Sequence, residues 1–179
     1  MNVIGLDLSL TSTGIATAEG THLLRPGKVR GVERLGFIER AIRRMLVASY
    51  MTSSGATIVA IEGYSFGSQG RAVFNIGELG GVIRLMLYRD GIPFVEVSPA
   101  TLKVYATGKG NASKDIVLVA GVKWLGLECG NDEMDAAWLR ALVLDKLGEP
   151  IVTLPESHRR ALEKVELPEG WTDNERGAR

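Results

Sequence analysis

Asn2-Val3-Ile4-Gly5-Leu6-Asp7-Leu8 sets one aspartate inside an apolar run near the start of the chain, and the reading of that run decides the fold. A short apolar run followed by the polar turn Ser9 to Gly14 suits a strand buried on both faces. An ionised carboxylate in such a strand is costly unless it is paired, hydrogen-bonded or bound to a cation. Asp7 therefore either caps the turn that follows it or meets positive charge at the end of the strand.

Working outward, residues 15–18 and 23–29 read as two further strands, antiparallel neighbours joined at Gly20 and Thr21. Residues 32–50 place Leu35, Ile38, Ile42, Met45 and Leu46 on one side and arginines elsewhere, the pattern of an amphipathic helix. Residues 57–61 are β-branched and apolar, close on Glu62 and open into the glycine-rich stretch 63–70. Residues 71–90 read as a helix despite Gly77, Gly80 and Gly81, and residues 92–97 as a strand. A short helix follows Pro99 to about Tyr105, and Ser113 caps a helix over 114–125. The last core helix starts near Asn131 and stops at Gly148 and Pro150. Three antiparallel strands followed by two parallel ones alternating with helices describe an α/β, ribonuclease H-like fold: a five-stranded mixed sheet with the first strand central. The expected division is one ribonuclease H-like domain over residues 1–149 and a charged C-terminal tail over 150–179, with one short helix near 158–165.

The chain has 179 residues, enough for one domain, and 45% of them are hydrophobic, so global disorder is excluded. Lys plus Arg and Asp plus Glu both number 21, so any site for a polyanion must be a local patch. Cys129 is the single cysteine and His22 and His158 the only histidines, which leaves no internal disulfide and no zinc-type ligand cluster. A reducing, cytoplasmic setting and a soluble protein are expected, because no stretch approaches the roughly 18 apolar residues of a membrane span and Asp7 interrupts the apolar N-terminus.

Glu62 repeats the situation of Asp7 at the end of a second strand, and Gly63 beside it allows a ligand or backbone to approach. Asp132 and Asp135 share one face of the last helix; acids are welcome in a first helical turn on dipole grounds alone. Ala136, Ala137, Trp138 and Leu139 follow, however, so the face of Asp135 turns toward the sheet. If the strands of Asp7 and Glu62 are adjacent and parallel, these four carboxylates converge. Two like charges about 4 Å apart repel by about 4 kcal/mol at an effective dielectric of about 20, so such a cluster requires cations. Oxygen-only ligands select Mg2+, with Mn2+ as a substitute, and two such ions suit hydrolysis of a phosphodiester.

Together these motifs resemble the RuvC family of Holliday junction resolvases, from Val3 to about Leu147. The family's strand with an aspartate, Ser/Thr turn and glycine matches Ile4 to Gly14; its strand-end I-E matches Ile61 and Glu62; its D-x-x-D before an alanine-rich helix matches Asp132, Asp135, Ala136 and Ala137. Lys103 and Lys114 look like its two lysines, one on the short helix after the fifth strand and one opening the next helix. The resemblance implies a homodimeric, magnesium-dependent endonuclease that cuts opposed strands of a four-way DNA junction and leaves 5′-phosphate ends. One departure stands out. The family places a junction-wedging aromatic three residues after its glutamate, where this chain has Ser65 between Tyr64 and Phe66. The displaced aromatic and the glycine-rich loop fit a divergent, phage-type member acting on several branched DNAs.

The roles that follow are Asp7 bridging both ions on the central strand, Glu62 and Asp135 flanking it, and Asp132 completing the shell or orienting water. Lys114 and Lys103 contact phosphate near the scissile bond, or are simply solvated; Arg71, Lys109 and Arg84 are further candidates for the DNA-binding patch. Tyr64 or Phe66 either stacks on an unpaired base or packs under the loop. The glycines of the helix over 71–90 mark it as the dimer contact, and a branch-migration helicase partner is left open. Two other readings share parts of the pattern: a ribonuclease H-like enzyme acting on RNA or RNA–DNA hybrids, and an actin-like ATPase or kinase, whose second domain this length does not hold.

Overall fold

In a computed structural model the described residues are 1–53, 55–63 and 71–171, with residues 71–76 described by backbone alone. Among them, β1 (Asn2–Asp7), β2 (Thr13–Ala16), β3 (Thr21–Leu24), β4 (Thr57–Glu62) and β5 (Phe94–Val97) form one mixed sheet in the order β3-β2-β1-β4-β5. The first three strands pair antiparallel, while β4 and β5 run parallel to β1, as the apolar pattern implies. All six residues of β1 are buried. The third strand is shorter than expected: it ends at Leu24, two residues before Pro26, which cannot donate to a strand ladder, and Gly27 then turns the chain at a φ of 63°.

Strand alternation sorts the core into two layers. Ile4, Leu6, Val59 and Ile61 face α1 (Gly31–Thr52) and α2 (Arg71–Arg89), meeting Ile38, Ile42, Ile83 and Leu87. Val3, Ile58, Ala60, Val95 and Val97 face the opposite layer, built from α3 (Pro99–Thr107), α4 (Lys114–Leu125) and α5 (Asn131–Lys146). At its centre Trp138 is fully buried, donates its indole N–H to the Val117 carbonyl at 3.3 Å and stands edge-on to Tyr105 with ring centroids 5.9 Å apart. An aromatic pair of this kind adds about 0.5–1.5 kcal/mol to the area it buries.

The helix ends carry their own chemistry. The Ser98 hydroxyl accepts from the Thr101 N–H at 3.1 Å to start α3, Pro99 occupies its first turn, and Gly108 at a φ of 77° ends it. Ser113 caps α4 as the sequence indicates. The chain after residue 150 is charged in composition, yet Leu154, Ala161 and Val165 are buried in the same core as Trp138. Its helix α6 (Glu156–Arg159) and the following 3-10 turn Arg160–Lys164 lie against α3, within one packed body. Among the described residues no helix is long and apolar enough to cross a membrane.

Candidate active site

Because β1 and β4 are parallel with Leu6 opposite Ile61, Asp7 and Glu62 leave the sheet side by side at the same end. Helix α5 supplies the third acid, and two missing side chains decide how close it comes. A Cβ on Gly14, which pairs with Asp7, would sit 1.9 Å from the Asp132 carbonyl oxygen; a Cβ on Gly5 would sit 2.0 Å from that of Ala136. The backbone of α5 therefore rests directly on β1 and β2. Farther along the helix the Arg140 guanidinium donates to the Val3 carbonyl at 3.1 Å. Three contact points thus set the helix antiparallel to β1, with its N-terminus over Asp7.

The turn after Asp7 is rigid for a loop. The Thr13 hydroxyl donates to the Ser9 carbonyl at 2.7 Å and accepts the Ser9 N–H at 3.1 Å, while Arg34 from α1 donates to the Leu10 carbonyl at 3.4 Å. Opposite, the Gly63 N–H donates to the Val97 carbonyl at 2.8 Å, which ties the end of β4 to β5. From β5 the chain passes straight into capped α3, which carries Lys103, and then into capped α4, which opens on Lys114.

Asp7, Glu62, Asp135, Lys103 and Lys114 line one cavity of about 180 Å³ together with Pro99, Leu102 and Val117. Burial pushes the Asp7 carboxyl up to about 8, helped by the negative charges of Glu62, Asp135 and Asp132 and opposed by Lys114. Glu62 is pushed up to about 7, first by burial and then by Asp135, against the pull of Lys114 and Lys103. Asp135 rises to about 6 by burial, with Lys114 and Lys103 pulling down and Asp132 pushing up. Asp132 is outside the cavity lining but acts on both Asp7 and Asp135 through its charge. The acids surround an open space: among the described residues no three His, Cys, Asp or Glu side chains already stand as a closed metal cage. The donor set nonetheless fits a hard divalent cation, since carboxylate oxygens face the cavity, no thiolate or imidazole lines it, and three partly desolvated acids resist simultaneous ionisation without added positive charge.

Two of the remaining sequence candidates, Lys109 and Arg84, have described side chains. Lys109 is exposed on the turn after α3 and is not part of the cavity lining. Arg84 donates to Glu96 of β5 at 2.5 Å and is not part of the cavity lining. Arg71 is the first residue of α2 and its side chain lies outside the described residues, as do Tyr64 and Phe66. Gly5 and Gly14 lie within the motif, but their role as the bed for α5 is one that motif reading does not give. A glycine inside a buried strand beside an aspartate is the available signal, because it marks close backbone approach.

A family model described as crossover junction endodeoxyribonuclease RuvC matches residues 3–144. The chain belongs to the RuvC family. Among curated relatives, the crossover junction endodeoxyribonuclease RuvC of Nocardia farcinica is 33% identical over 150 residues, covering 80% of this chain and 79% of the relative. That of Synechococcus sp. (strain WH7803) is 29% identical, covering 80% and 96%. Among solved structures, Thermus thermophilus RuvC superposes with a TM-score of 0.63 at 20% identity, covering 86% of this chain and 100% of that one. T. thermophilus RuvC in complex with Holliday junction substrate gives 0.62 at 22% identity, covering 86% and 99%. The fold is thus ribonuclease H-like, as RuvC structures are. The chain is a hydrolase of the nuclease class, an endodeoxyribonuclease of a Holliday-junction-resolving and metal-dependent family.

Proposed function

We propose that this chain resolves four-way DNA junctions as a homodimer, hydrolysing phosphodiester bonds with two Mg2+ ions held by Asp7, Glu62, Asp135 and Asp132. The observation that carries this reading is the meeting of one buried acid, two half-buried acids and two lysines around one cavity at the carboxyl end of the central parallel strands. When bound, such ions supply the positive charge that favours ionisation of a water and stabilises the leaving oxygen of an in-line displacement.

The chain's own residues do the rest. Asp7, on a strand buried along its whole length, is close enough to Glu62 and Asp135 to feel both charges and anchors the acid set to the sheet. Lys103 and Lys114 offer ammonium groups to the phosphate flanking the reacting bond. Leu102 and Val117 supply the apolar part of the cavity lining. Arg71, Lys109 and the aromatic pair Tyr64 and Phe66 extend the DNA contact, with cleavage leaving 5′-phosphate ends. The outward face of α2 suits the dimer contact: Leu85 and Tyr88 are exposed, and a side chain at Gly81 would meet nothing within 4 Å. A cytoplasmic setting follows from action on chromosomal or phage DNA.

The test is a cleavage panel of four-way junctions, forks, flaps, linear duplex and RNA–DNA hybrids with Mg2+ present. Symmetric, ligatable nicks in four-way junctions are expected. Preference for the RNA strand of hybrids would overturn the reading in favour of a ribonuclease H activity.

A further inference from the structure

The family match ends at residue 144, and the chain beyond it turns back across α3 and α5, the two helices that bring Lys103 and the α5 acids to the cavity. Its contacts are polar and specific. Arg159 forks onto Asp145 of α5, with Nη2 donating to Oδ1 at 2.8 Å and Nε to Oδ2 at 3.1 Å. The Asp145 side chain is wholly buried, and the Tyr105 hydroxyl of α3 donates to it from 3.1 Å, also within reach of the Ala141 carbonyl at 3.2 Å. One carboxylate thus links α3, α5 and α6.

The same segment closes the free end of α3. The last carbonyls of a helix have no partner inside it. Here the His158 Nδ1 lies 2.9 Å from the Tyr105 carbonyl oxygen, and the Arg160 Nη2 donates to the Gly108 carbonyl at 3.0 Å. Lys146 of α5 returns the contact by donating to the Leu162 carbonyl at 2.9 Å, and Leu154, Ala161 and Val165 seal the seam. Helix α3 has only nine residues, too few to hold its own geometry, so its orientation is set by what it packs on.

We infer that the C-terminal segment is a brace that sets how α3 presents Lys103 to the acid cavity, with Arg159 a positioning residue that acts through Lys103. This rests on the reading of Lys103 as a phosphate contact. Lys103 is two residues from Tyr105 on α3, so a small rotation of that helix moves the ammonium at the end of its long stem. Misplacement by about 1 Å costs up to about 100-fold in rate.

A double-mutant cycle tests it: Lys103→Ala, Arg159→Ala and the pair, read as single-turnover cleavage of a four-way junction per folded molecule, with thermal melting in parallel. Each single change is expected to slow cleavage about 10-fold, the double variant to be no slower than Lys103→Ala alone, and Arg159→Lys to restore part of the rate. If Arg159→Ala does not fold, Tyr105→Phe, which removes one donor to the same carboxylate, enters the cycle in its place. Losses that multiply overturn the brace while leaving the reading of Lys103 intact. A lowered melting temperature with an unchanged rate per folded molecule overturns it as well. Lys103→Ala cleaving at the wild-type rate overturns both.

Discussion

Asp135 and Asp145 stand on one helix, about 15 Å apart along its axis, and they differ in what surrounds them. Asp145 is wholly buried but complete: Arg159 matches its charge across both oxygens and Tyr105 adds a second donor to Oδ2. Asp135 is less buried and incomplete, raised toward neutrality with Asp132 beside it and Lys103 and Lys114 near but not in ion-pair contact. The same residue type serves as a structural clamp where the fold supplies a counter-charge and as part of an electrostatically unfinished site where it does not. Unmatched acids store a preference for cations that the folded chain itself does not satisfy.

The strongest way to break that contrast is to neutralise one acid from each region. Asp7→Asn is expected to lower single-turnover cleavage by at least about 1,000-fold while junction binding and folding persist, because only the cation-holding set is damaged. Asp145→Asn should act in the opposite sense, losing about 1–3 kcal/mol of unfolding free energy in urea with a far smaller loss of cleavage. Equal effects from the two variants would erase the distinction.

Gly14→Ala tests whether backbone contact, not side-chain chemistry alone, assembles the site. Its Cβ would meet the Asp132 carbonyl at 1.9 Å, and neither partner is a flexible side chain. About 3 kcal/mol of destabilisation is expected together with loss of most cleavage at saturating Mg2+, as α5 is forced away from Asp7. A variant of normal stability and rate would show that α5 does not depend on this approach.

A smaller effect sharpens the electrostatic side. Asp7, Glu62 and Asp135 all have folded-state values above their ordinary ones, at about 8, about 7 and about 6, so the folded chain binds protons more tightly than the unfolded chain. Their contribution to stability is complete below about pH 4 and is lost as the pH rises toward about 8. Without divalent ions the urea midpoint should fall across this window, more in the native chain than in Asp7→Asn. Millimolar Mg2+ should flatten the fall, and cleavage should increase from about pH 6 to about pH 8. A midpoint that climbs with pH in the native chain relative to Asp7→Asn would contradict the assignment.

Most of the fold was legible before any coordinates. Short apolar runs, the Ser113 cap and the placement of glycine and proline locate strands and helices within a few residues, the third strand excepted at Pro26. The acids were legible too, because a carboxylate in an apolar strand has few explanations. Less legible was the charged stretch after residue 150, whose composition suggests a solvated tail while its sparse apolar residues, Leu154, Ala161 and Val165, are spaced to bury along one seam.

Local sequence, then, determined which segments form which elements and which residues are chemically costly to bury, since both depend on neighbours along the chain. Only the tertiary structure decided that Gly5 and Gly14 are the bed for α5, that Arg84 belongs to Glu96, and that Asp145 is matched while Asp7, Glu62 and Asp135 are left to share one space. Those outcomes depend on distances between residues far apart in the chain, and a charge is finished or unfinished only by what the fold places beside it.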